Sequence, residues 1–326
     1  MYYVPWVIIK ARILPLPSSV QEQVDDSLNY GFDGIVVYVD KKNITPTYYA
    51  AGWHNRDNKI PANPHTLFKI ASIDKLYDAV ALTKLIVDGR LSLNKALTDY
   101  LPELKGRVQH ADGITLKMLI QHRSGIPNYT DLYMYWATPK ETDDEKLNLV
   151  LDLPANFKPD ENYQYCNTNY LLLSKILDRV LGYDHFHFIK DEILKPLNLN
   201  QTFGSLDDIE IEDLMSGYYV GIDADLKTNR MGSMIATAED VGIFIRSLNE
   251  GTLLDNEEQE LYSSLYVYNH TGLIPGYQSI AKYNNKTKTV IVQFTNTTDF
   301  NGYNWSLSEI IYGRIEKIIS RSNSNH

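Results

Sequence analysis

The sequence predicts an α+β protein in which an antiparallel sheet is flanked by N- and C-terminal helices and interrupted by an all-α insertion. Three observations predict it. β-Branched and aromatic runs separated by turn residues occur near both ends, apolar residues at helical spacing fill the middle, and an amphipathic segment closes the chain. With 326 residues, 44% of them hydrophobic, the chain can bury a large core. We expect one domain of residues 1–71 and 215–326 and a mainly helical domain of residues 72–214.

The N-terminal third begins with a helix and continues with a hairpin. We expect the helix around residues 20–30. The runs "GIVVYVD" and "PTYYAAGW" are rich in β-branched and aromatic residues, and the polar stretch "KKNIT" separates them. This pattern is typical of two antiparallel strands joined by a turn.

The middle of the chain predicts helices, and the C-terminal part predicts a hairpin followed by a helix. "KLYDAVALTKLIVDG", "TLKMLIQH" and "TNYLLLSKILDRVLG" have helical spacing, and Gly89 and Gly182 end the first and the third of them. "GYQSIAKYNN" and "KTVIVQFTN" then predict a second hairpin. "WSLSEIIYGRIEKIIS" predicts a C-terminal helix.

Composition excludes several classes of function. The net charge of −10 and the absence of a long Lys/Arg run argue against nucleic acid as a partner. One cysteine, Cys166, excludes an internal disulfide and a multi-cysteine zinc site. Asp184, His185 and His187 could suggest a metal, but no third and fourth ligand follow in register, so we expect a surface helix there, and neither a metal nor a cofactor.

The N-terminus does not have the pattern of a targeting segment. "MYYVPWVIIKARILPLPSS" contains a short apolar patch, but Pro5 interrupts it and no basic region precedes it. No stretch approaches the 18 or more apolar residues of a membrane span. We therefore expect neither a signal peptide nor a transmembrane segment in the chain as given.

Ser72 and Lys75 in "FKIASIDKLYDAV" break a rule for helix starts. Such starts favour a small polar cap, which Ser72 fits, and an acid three residues later. Lys75 instead places a cation where the helix dipole disfavours it by roughly 0.3–1 kcal/mol. Residues three apart share a helix face, so Lys75 can reach the Ser72 hydroxyl and supply the base that a serine nucleophile needs. A second such pair, Ser92 with Lys95, lies in the polar stretch "DGRLSLNKAL" and indicates a solvated turn.

Two further groups are candidates beside this pair. Tyr165 and Asn167 stand just ahead of a predicted helix, where a tyrosine can relay a proton and an asparagine offers both a donor and an acceptor. Their structural alternative is a tyrosine at the edge of the core and a helix cap. His270 begins a predicted strand, and Gly272 follows at a place where a ligand or another backbone often approaches closely. A lone histidine at a strand end is, however, usually structural.

Three motifs stand in this order along the chain: Ser72-Ile73-Asp74-Lys75, Tyr165-Cys166-Asn167 and His270-Thr271-Gly272. Together they resemble the motifs of the penicillin-recognising serine hydrolases, in the class C β-lactamase-like branch that includes D-Ala-D-Ala carboxypeptidases, D-aminopeptidases and esterases. Segments such as "ITLKMLIQHRSGIPNY" and "ILKPLNLNQT" are also similar, so the resemblance covers about residues 30–300. It implies a β-lactamase/DD-peptidase-like fold with the active site between the two domains.

The resemblance also implies roles for single residues. Ser72 would attack a carbonyl to form an acyl-enzyme, and Lys75 and Tyr165 would move the proton from the nucleophile to the leaving group. Asn167 would hold the amide of the substrate. The backbone N–H groups of Ser72 and Leu273 would form the oxyanion hole.

The third motif bears on the substrate. His270 would face the carboxylate of the substrate or assist the proton relay, and Thr271 and Gly272 would line the binding strand. His270 stands where β-lactamases have lysine, a replacement found in peptidase and esterase members. The resemblance therefore favours D-amino-acid peptides or small esters and amides, and it leaves weak β-lactamase activity open. Asp74 flanks Lys75, so whether Lys75 or Tyr165 is the general base also stays open.

The expected partner is a small molecule or a peptide, with cell-wall peptide as a candidate ligand. The resemblance favours an extracytoplasmic location, either periplasmic or secreted. A competing hypothesis is a catalytically silent module that binds peptidoglycan fragments or a partner. A further open question is the loop "GIPNYTDLYMYWATPKETDDEK", whose aromatic side chains either form an apolar wall of the site or pack within the loop: Tyr129, Tyr133, Tyr135 and Trp136.

Overall fold

A computed structural model describes residues 6–133, 135–137 and 139–324. Its α-helices are α1 Trp6–Ile13, α2 Val20–Ser27, α3 Asp74–Val87, α4 Leu97–Tyr100, α5 Leu116–Ile120, α6 Asp143–Asn148, α7 Asn167–Leu181, α8 His185–Ile189, α9 Ala238–Glu250, α10 Asn256–Leu265 and α11 Asn304–Ser324. Its strands are β1 Gly34–Lys41, β2 Thr47–Asn55, β3 Ile60–Pro61, β4 Phe68–Lys69, β5 Thr202–Phe203, β6 Tyr218–Tyr219, β7 Ile235–Ala236, β8 His270–Ile274, β9 Tyr277–Asn284, β10 Thr289–Thr295 and β11 Thr297–Thr298. The mixture of helices with an antiparallel sheet confirms the α+β class.

The chain divides into two compact units. The first comprises Met1–Asp74, Leu199–Glu250 and Tyr268–His326, and the second comprises Lys75–Asn198 and Gly251–Val267. Their bounds differ from the expected domains, 1–71 with 215–326 and 72–214, in three segments, of which the shortest, residues 72–74, joins the first unit. Residues 199–214 join the first unit, where β5 pairs with β7. Residues 251–267 join the second, where the ammonium group of Lys84 lies 3.1 Å from the carboxylate of Glu258. The expected domain bounds stay a prediction.

The first unit contains a six-stranded antiparallel sheet with the order β3-β2-β1-β10-β9-β8. Both predicted hairpins, β1–β2 and β9–β10, are present. Alternation along β1 explains the layers, because Ile35, Val37 and Val39 belong to a core cluster with residues of α2 and α11. Tyr38 points to the opposite face, where α9 packs.

Helix α1 was not predicted. The apolar patch at the N-terminus, which we expected to be broken by Pro5, forms a helix from Trp6 onwards and packs on α11 through Ala11 and Ile8. Pro5 itself, at which we expected the break, lies outside the described residues. Of the helices in the described ranges, none combines the length and the hydropathy that crossing a membrane requires.

The second unit is helical over most of its length. The predicted segments form α3, α5 and α7, and α5 packs on α7. Gly182 ends α7 with a φ of 80°, and Gly89 follows α3 with a φ of 71°. Both are left-handed conformations that glycine adopts without strain, so the two predicted stop signals are confirmed.

Gly242 in α9 provides a test of the packing on β1. A Cβ atom at this position would lie 2.2 Å from the ring of Tyr38, which is 1% exposed and has no room to move. We expect Gly242→Ala to lower the free energy of unfolding by about 1–3 kcal/mol through overpacking. Denaturant titration measures this change.

Gly313 in α11 is the matched control, because nothing lies within 4 Å of a Cβ atom added there. Gly313→Ala should leave the protein unchanged or stabilise it by about 0.5–1 kcal/mol through helix propensity. Equal stability of the two variants would contradict the packing described for α9.

Candidate active site

Ser72 lies inside a helical turn. The residues Ala71–Ile73 form a 3₁₀ turn that runs into α3 at Asp74. The prediction that Ser72 caps the helix is therefore wrong, because the turn has already begun at Ile70 and that position makes no side-chain cap. Ala71, directly before Ser72, has a φ of 50°, which is a strained conformation for a residue with a Cβ atom.

Hydrogen bonds within the first unit hold the chain just ahead of Ser72. The N–H of Ile70 donates to the carbonyl of Met234 at 3.0 Å, and the N–H of Ala71 donates to the hydroxyl of Ser233 at 2.8 Å. The hydroxyl of Ser279 donates to the carbonyl of Ile70 at 2.7 Å. The strained backbone is thus fixed by partners that lie far away in sequence, as such strain requires.

Gly272 of the edge strand β8 lies against this turn. A Cβ atom there would stand 2.4 Å from the carbonyl oxygen of Ile70 and 2.9 Å from the Cβ atom of Ala71. Ser279 is the register partner of Gly272 on β9, and its hydroxyl reaches Ile70 because no side chain intervenes. The glycine therefore marks a close approach of two backbones, as the sequence predicted.

The neighbours of Gly272 follow the same strand. His270 and Thr271 open β8, and Leu273 pairs with Gln278 of β9. The Nδ1 atom of His270 lies 2.6 Å from the carbonyl oxygen of Thr271. Because a carbonyl only accepts, Nδ1 carries the proton, and Nε2 is the acceptor when the ring is neutral.

In the second unit, Lys75 lies among tyrosine rings. Its side chain is buried, and its ammonium nitrogen is 5.8 Å from the ring centre of Tyr165 and 5.5 Å from that of Tyr170. Burial raises the pKa of Tyr170 well above its ordinary value. The structure thus brings together two predicted site residues, Lys75 and Tyr165, and adds Tyr170, which the sequence analysis did not single out.

His122 is a second residue that the sequence analysis missed. Its ring lies 4.5 Å from that of Tyr165 and 5.2 Å from that of Tyr170, measured between ring centres. The N–H of Cys166 donates to its Nδ1 atom at 3.2 Å, which fixes the orientation of the strand-like segment carrying Tyr165. The signal was available, since His122 lies in the segment "QHRSG" on which part of the family resemblance rests.

Asn167 is the first residue of α7 and is held by a loop of the same unit. At the start of a helix the backbone N–H has no partner within the helix, and that of Asn167 donates to the side-chain oxygen of Asn128 at 3.0 Å. The side-chain amide nitrogen of Asn167 donates to the hydroxyl of Thr130 at 3.0 Å. The N–H of Tyr129 donates to the hydroxyl of Thr168 at 3.1 Å. The loop at residues 127–131 therefore adjoins Asn167.

The aromatic residues of this loop divide into two groups. The rings of Tyr129 and Tyr135 are 5.2 Å apart and that of Trp136 is 4.9 Å from Tyr135, so these three form one cluster. Tyr135 is buried, whereas Tyr133 is 94% exposed. Loop packing accounts for Tyr135, and the backbone N–H of Tyr129 contacts the start of α7.

The remaining candidates lie elsewhere in the second unit. Lys95 is exposed in the turn between α3 and α4, as expected for a solvated turn. The possible ligand atoms of Asp178, Asp184 and His185 lie within 4.8 Å of one another, whereas His187 is outside this group. Asp178 accepts hydrogen bonds from the backbone and the ring of His185 at 2.7 and 2.8 Å. Burial lowers the pKa of His185, but the hydrogen bond and the charges of the neighbouring carboxylates outweigh it and raise that pKa to about 9.

Lys69, three residues before Ser72, is buried in the first unit. Its ammonium group donates to the carbonyls of Leu226 at 3.3 Å and Asn229 at 2.7 Å, and it lies 5.1 Å from the ring centre of Tyr277. Burial lowers the pKa of Lys69 to about 7, although the charge of Asp225 opposes this. These hydrogen bonds connect the segment 226–229 to β4, the strand that precedes Ser72.

Comparisons with known proteins place these features in context. A family model described as Beta-lactamase matches residues 19–267. Protein flp of Staphylococcus aureus (strain MW2) is 28% identical over 195 residues, which cover 57% of this chain and 39% of flp. The structure of D-amino acid amidase from Ochrobactrum anthropi SV3 complexed with L-phenylalanine amide has a TM-score of 0.80 at 22% identity and covers 97% of this chain and 99% of that chain. A penicillin binding protein from Bacillus halodurans gives 0.77 at 20% identity, covering 92% and 99%.

These matches confirm the family resemblance and the β-lactamase/DD-peptidase-like fold. The matched part of the sequence includes Ser72, Lys75, Tyr165 and Asn167 but ends before His270. The alignment with flp spans about two fifths of the length of flp, and the structural likeness at 20–22% identity concerns the fold alone.

The lowered pKa of Lys69 predicts a dependence of stability on pH. Its folded value of about 7 lies below the unfolded value of about 10.4, so between these pH values the unfolded chain binds more protons and stability rises with pH. Relative to Lys69→Met, the free energy of unfolding of the wild type should rise by about 1.4 kcal/mol per pH unit in this range.

Denaturant titrations at several pH values measure this difference. Lys117→Met, which removes an exposed lysine, is the control and should run parallel to the wild type. If wild type and Lys69→Met also ran parallel from about pH 7 to about pH 10, the buried neutral state of Lys69 would be refuted.

Proposed function

We propose that this protein, which belongs to the beta-lactamase family of serine hydrolases, hydrolyses D-amino-acid-containing peptides or small esters and amides. The reaction would pass through an acyl-enzyme on Ser72. The observation that carries this proposal is the setting of Lys75. One helical turn after Ser72, a lysine is buried among the rings of Tyr165 and Tyr170. Removing an ammonium group from water costs free energy, and a purely structural lysine has no need of this position.

The proposed reaction has two steps. The Ser72 hydroxyl oxygen attacks the carbonyl carbon of the substrate, and its proton passes through Lys75 and Tyr165 to the leaving nitrogen or oxygen. The bond to the leaving group then breaks and an ester on Ser72 remains. In the second step water attacks this ester, releases the carboxylic acid and returns a proton to the Ser72 oxygen.

Backbone N–H groups would stabilise the negative charge that develops on the substrate oxygen. The N–H groups of Ser72 and Leu273 would bind the oxyanion of each tetrahedral intermediate, and losing one such donor costs roughly 2.7–4 kcal/mol of transition-state stabilisation. The support is that Gly272, the neighbour of Leu273, lies directly against the Ser72-bearing turn. Larger residues at position 272 would separate the two donors.

The other predicted residues would orient the substrate. Asn167 would hold the substrate amide, and its hydrogen bonds to Asn128 and Thr130 support a fixed orientation. His270 would act on the substrate carboxylate or in the proton relay, and the contact of its Nδ1 atom with the carbonyl of Thr271 supports a fixed orientation of the ring. Lys75 and Tyr165 remain alternative general bases.

The substrate class rests on the motifs and on the fold. The third motif carries His270 in place of lysine, which favours peptidase and esterase activity over efficient β-lactam hydrolysis. The D-amino acid amidase shares the fold over nearly its whole length. D-Amino-acid amides and short peptides ending in D-alanine are therefore the substrates to test, together with a penicillin.

The test compares turnover of D- and L-phenylalanine amide, a D-alanyl-D-alanine peptide and a chromogenic ester. We expect hydrolysis of the D-amide, the D-peptide or the ester by the wild type, and a loss of at least about a thousandfold in Ser72→Ala, since removing a serine nucleophile has effects of this size or larger. Ser92→Ala, in the second Ser-x-x-Lys pair, is the matched control and should keep full activity.

Two outcomes would contradict the proposal. Unchanged turnover in Ser72→Ala would reject Ser72 as the nucleophile. A folded wild type that binds a peptidoglycan fragment without hydrolysing any of the compounds would favour the silent binding module.

A further inference from the structure

Helix α1 exposes large apolar side chains to solvent. Four residues of this helix and its C-terminal end are exposed: Trp6 at 73%, Val7 at 37%, Ile13 at 74% and Leu14 at 41%. Trp6 and Ile13 are seven residues apart and therefore share one face of the helix. Exposed tryptophan and isoleucine on one face form an apolar patch that usually marks an interaction site.

The opposite face of α1 is already buried. Ala11 is fully buried and Ile8 packs against the same core cluster, which contains residues of α11. The helix is thus apolar on both sides, and a helix of this kind normally has partners on both sides. Only one of them belongs to the described part of this unit.

Arg314 of α11 holds this segment in place. Its side chain is buried, and its guanidinium group donates to the carbonyls of Ala11 at 3.2 Å, Leu14 at 2.8 Å and Pro15 at 2.7 Å. It also donates to the side chain of Gln23. Four hydrogen bonds from one side chain fix the orientation of α1, so its exposed face is presented in a defined way.

The charges on α1 itself are positive, in contrast to the protein as a whole. Lys10 and Arg12 are exposed on α1, and residues 1–21 contain no Asp or Glu, although the net charge of the chain is −10. Lys317 and Arg321 follow Arg314 at spacings of three and seven, which places them on the same stripe of α11.

These two cations adjoin the N-terminal segment. Lys317 and Arg321 are exposed and line one surface cavity together with Leu16. The acid in that cavity, Glu316, accepts a hydrogen bond from the side chain of Asn284 at 2.9 Å. The basic stripe of Lys317 and Arg321 therefore lies beside Leu16, three residues after the end of α1.

We propose that the exposed face of α1, together with the basic stripe of α11, docks on a bilayer that contains anionic lipid. Tryptophan and aliphatic side chains flanked by Lys and Arg are the pattern of segments that lie in the membrane interface. Lys10, four residues after Trp6 and three before Ile13, shares their face of the helix, where a cation attracts anionic headgroups. This inference does not depend on the proposed activity.

A second copy of the chain is a less suitable occupant. In a symmetric pair the same patch of both copies meets, so Lys10 and Arg12 of both copies would gather at one interface. Such like-charge contacts oppose association, whereas an anionic bilayer neutralises the same four cations. The charge of the face thus selects lipid over self-association.

Vesicle co-sedimentation tests the proposal with the full chain. We expect the wild type to bind vesicles of phosphatidylcholine that contain one quarter phosphatidylglycerol, and to bind vesicles of phosphatidylcholine alone more weakly. High salt should release the protein from the anionic vesicles. Lys10→Gln with Arg12→Gln should weaken binding to the anionic vesicles about 25-fold, since each cation contributes about 1 kcal/mol, a factor of about five.

The apolar contribution has its own variant and control. Trp6→Ser with Ile13→Ser should lose binding to both kinds of vesicle, while Ile44→Ser, which removes an apolar side chain that is 59% exposed in the β1–β2 turn, should bind like the wild type. All these positions are at the surface, and circular dichroism verifies that each variant is folded.

Three results would overturn the proposal. The first is that the wild type does not sediment with anionic vesicles, and the second is that the wild type and both double variants sediment equally. The third is a dimer in analytical ultracentrifugation that dissociates in Trp6→Ser with Ile13→Ser. The last result would assign the face to a second copy of the chain.

Discussion

The close approach of strand β8 to the turn before Ser72 is the constraint on which the first unit depends. Gly272 lies so near Ile70 and Ala71 that no side chain fits at its position. This approach allows the hydroxyl of Ser279 to reach the carbonyl of Ile70 from the neighbouring strand. Ala71 is then held in a left-handed conformation directly before Ser72. Strain of this kind persists only where surrounding contacts determine the backbone.

In the second unit a lysine, Lys75, is buried in the first turn of a helix. Lys75 lies over the rings of Tyr165 and Tyr170, and ring faces attract a cation. His122 packs against both rings and receives the N–H of Cys166, so the tyrosines are themselves positioned. Exposed helix starts have no such arrangement, and the dipole penalty at Lys75 is consistent with a functional role.

Features that depend on local periodicity were predictable from the sequence. The two hairpins, α3, α5, α7 and α11 follow from periods of 2 and 3.6 residues, and Gly182 was a valid helix stop. The three motifs were also visible, and the family match confirms the resemblance that they suggested. Gly272 was found because a glycine inside a strand is unusual enough to indicate close contact.

Features that depend on distant partners were not predictable. Ser72 was expected to cap α3, but the turn is set by Ser233 and Met234, which lie about 160 residues away in sequence. Lys69 was missed for the same reason, because its acceptors are carbonyl groups and backbone carbonyls leave no signal in a sequence. Helix α1 was missed because its apolar residues lie on both faces and so lack a clear period.

We propose that the contact at Gly272 holds Ser72 in the position of an activated nucleophile. The most direct measurement is the rate at which a fluorophosphonate labels Ser72, followed by intact mass and peptide mapping, in the wild type, in Gly272→Ala and in Gly113→Ala. Gly113 is the control because an added Cβ atom there would meet only an ordinary contact at 3.6 Å. We predict labelling of Ser72 in the wild type and in Gly113→Ala and a large loss of labelling in folded Gly272→Ala. Equal rates in all three proteins, or a label on another residue, would contradict it.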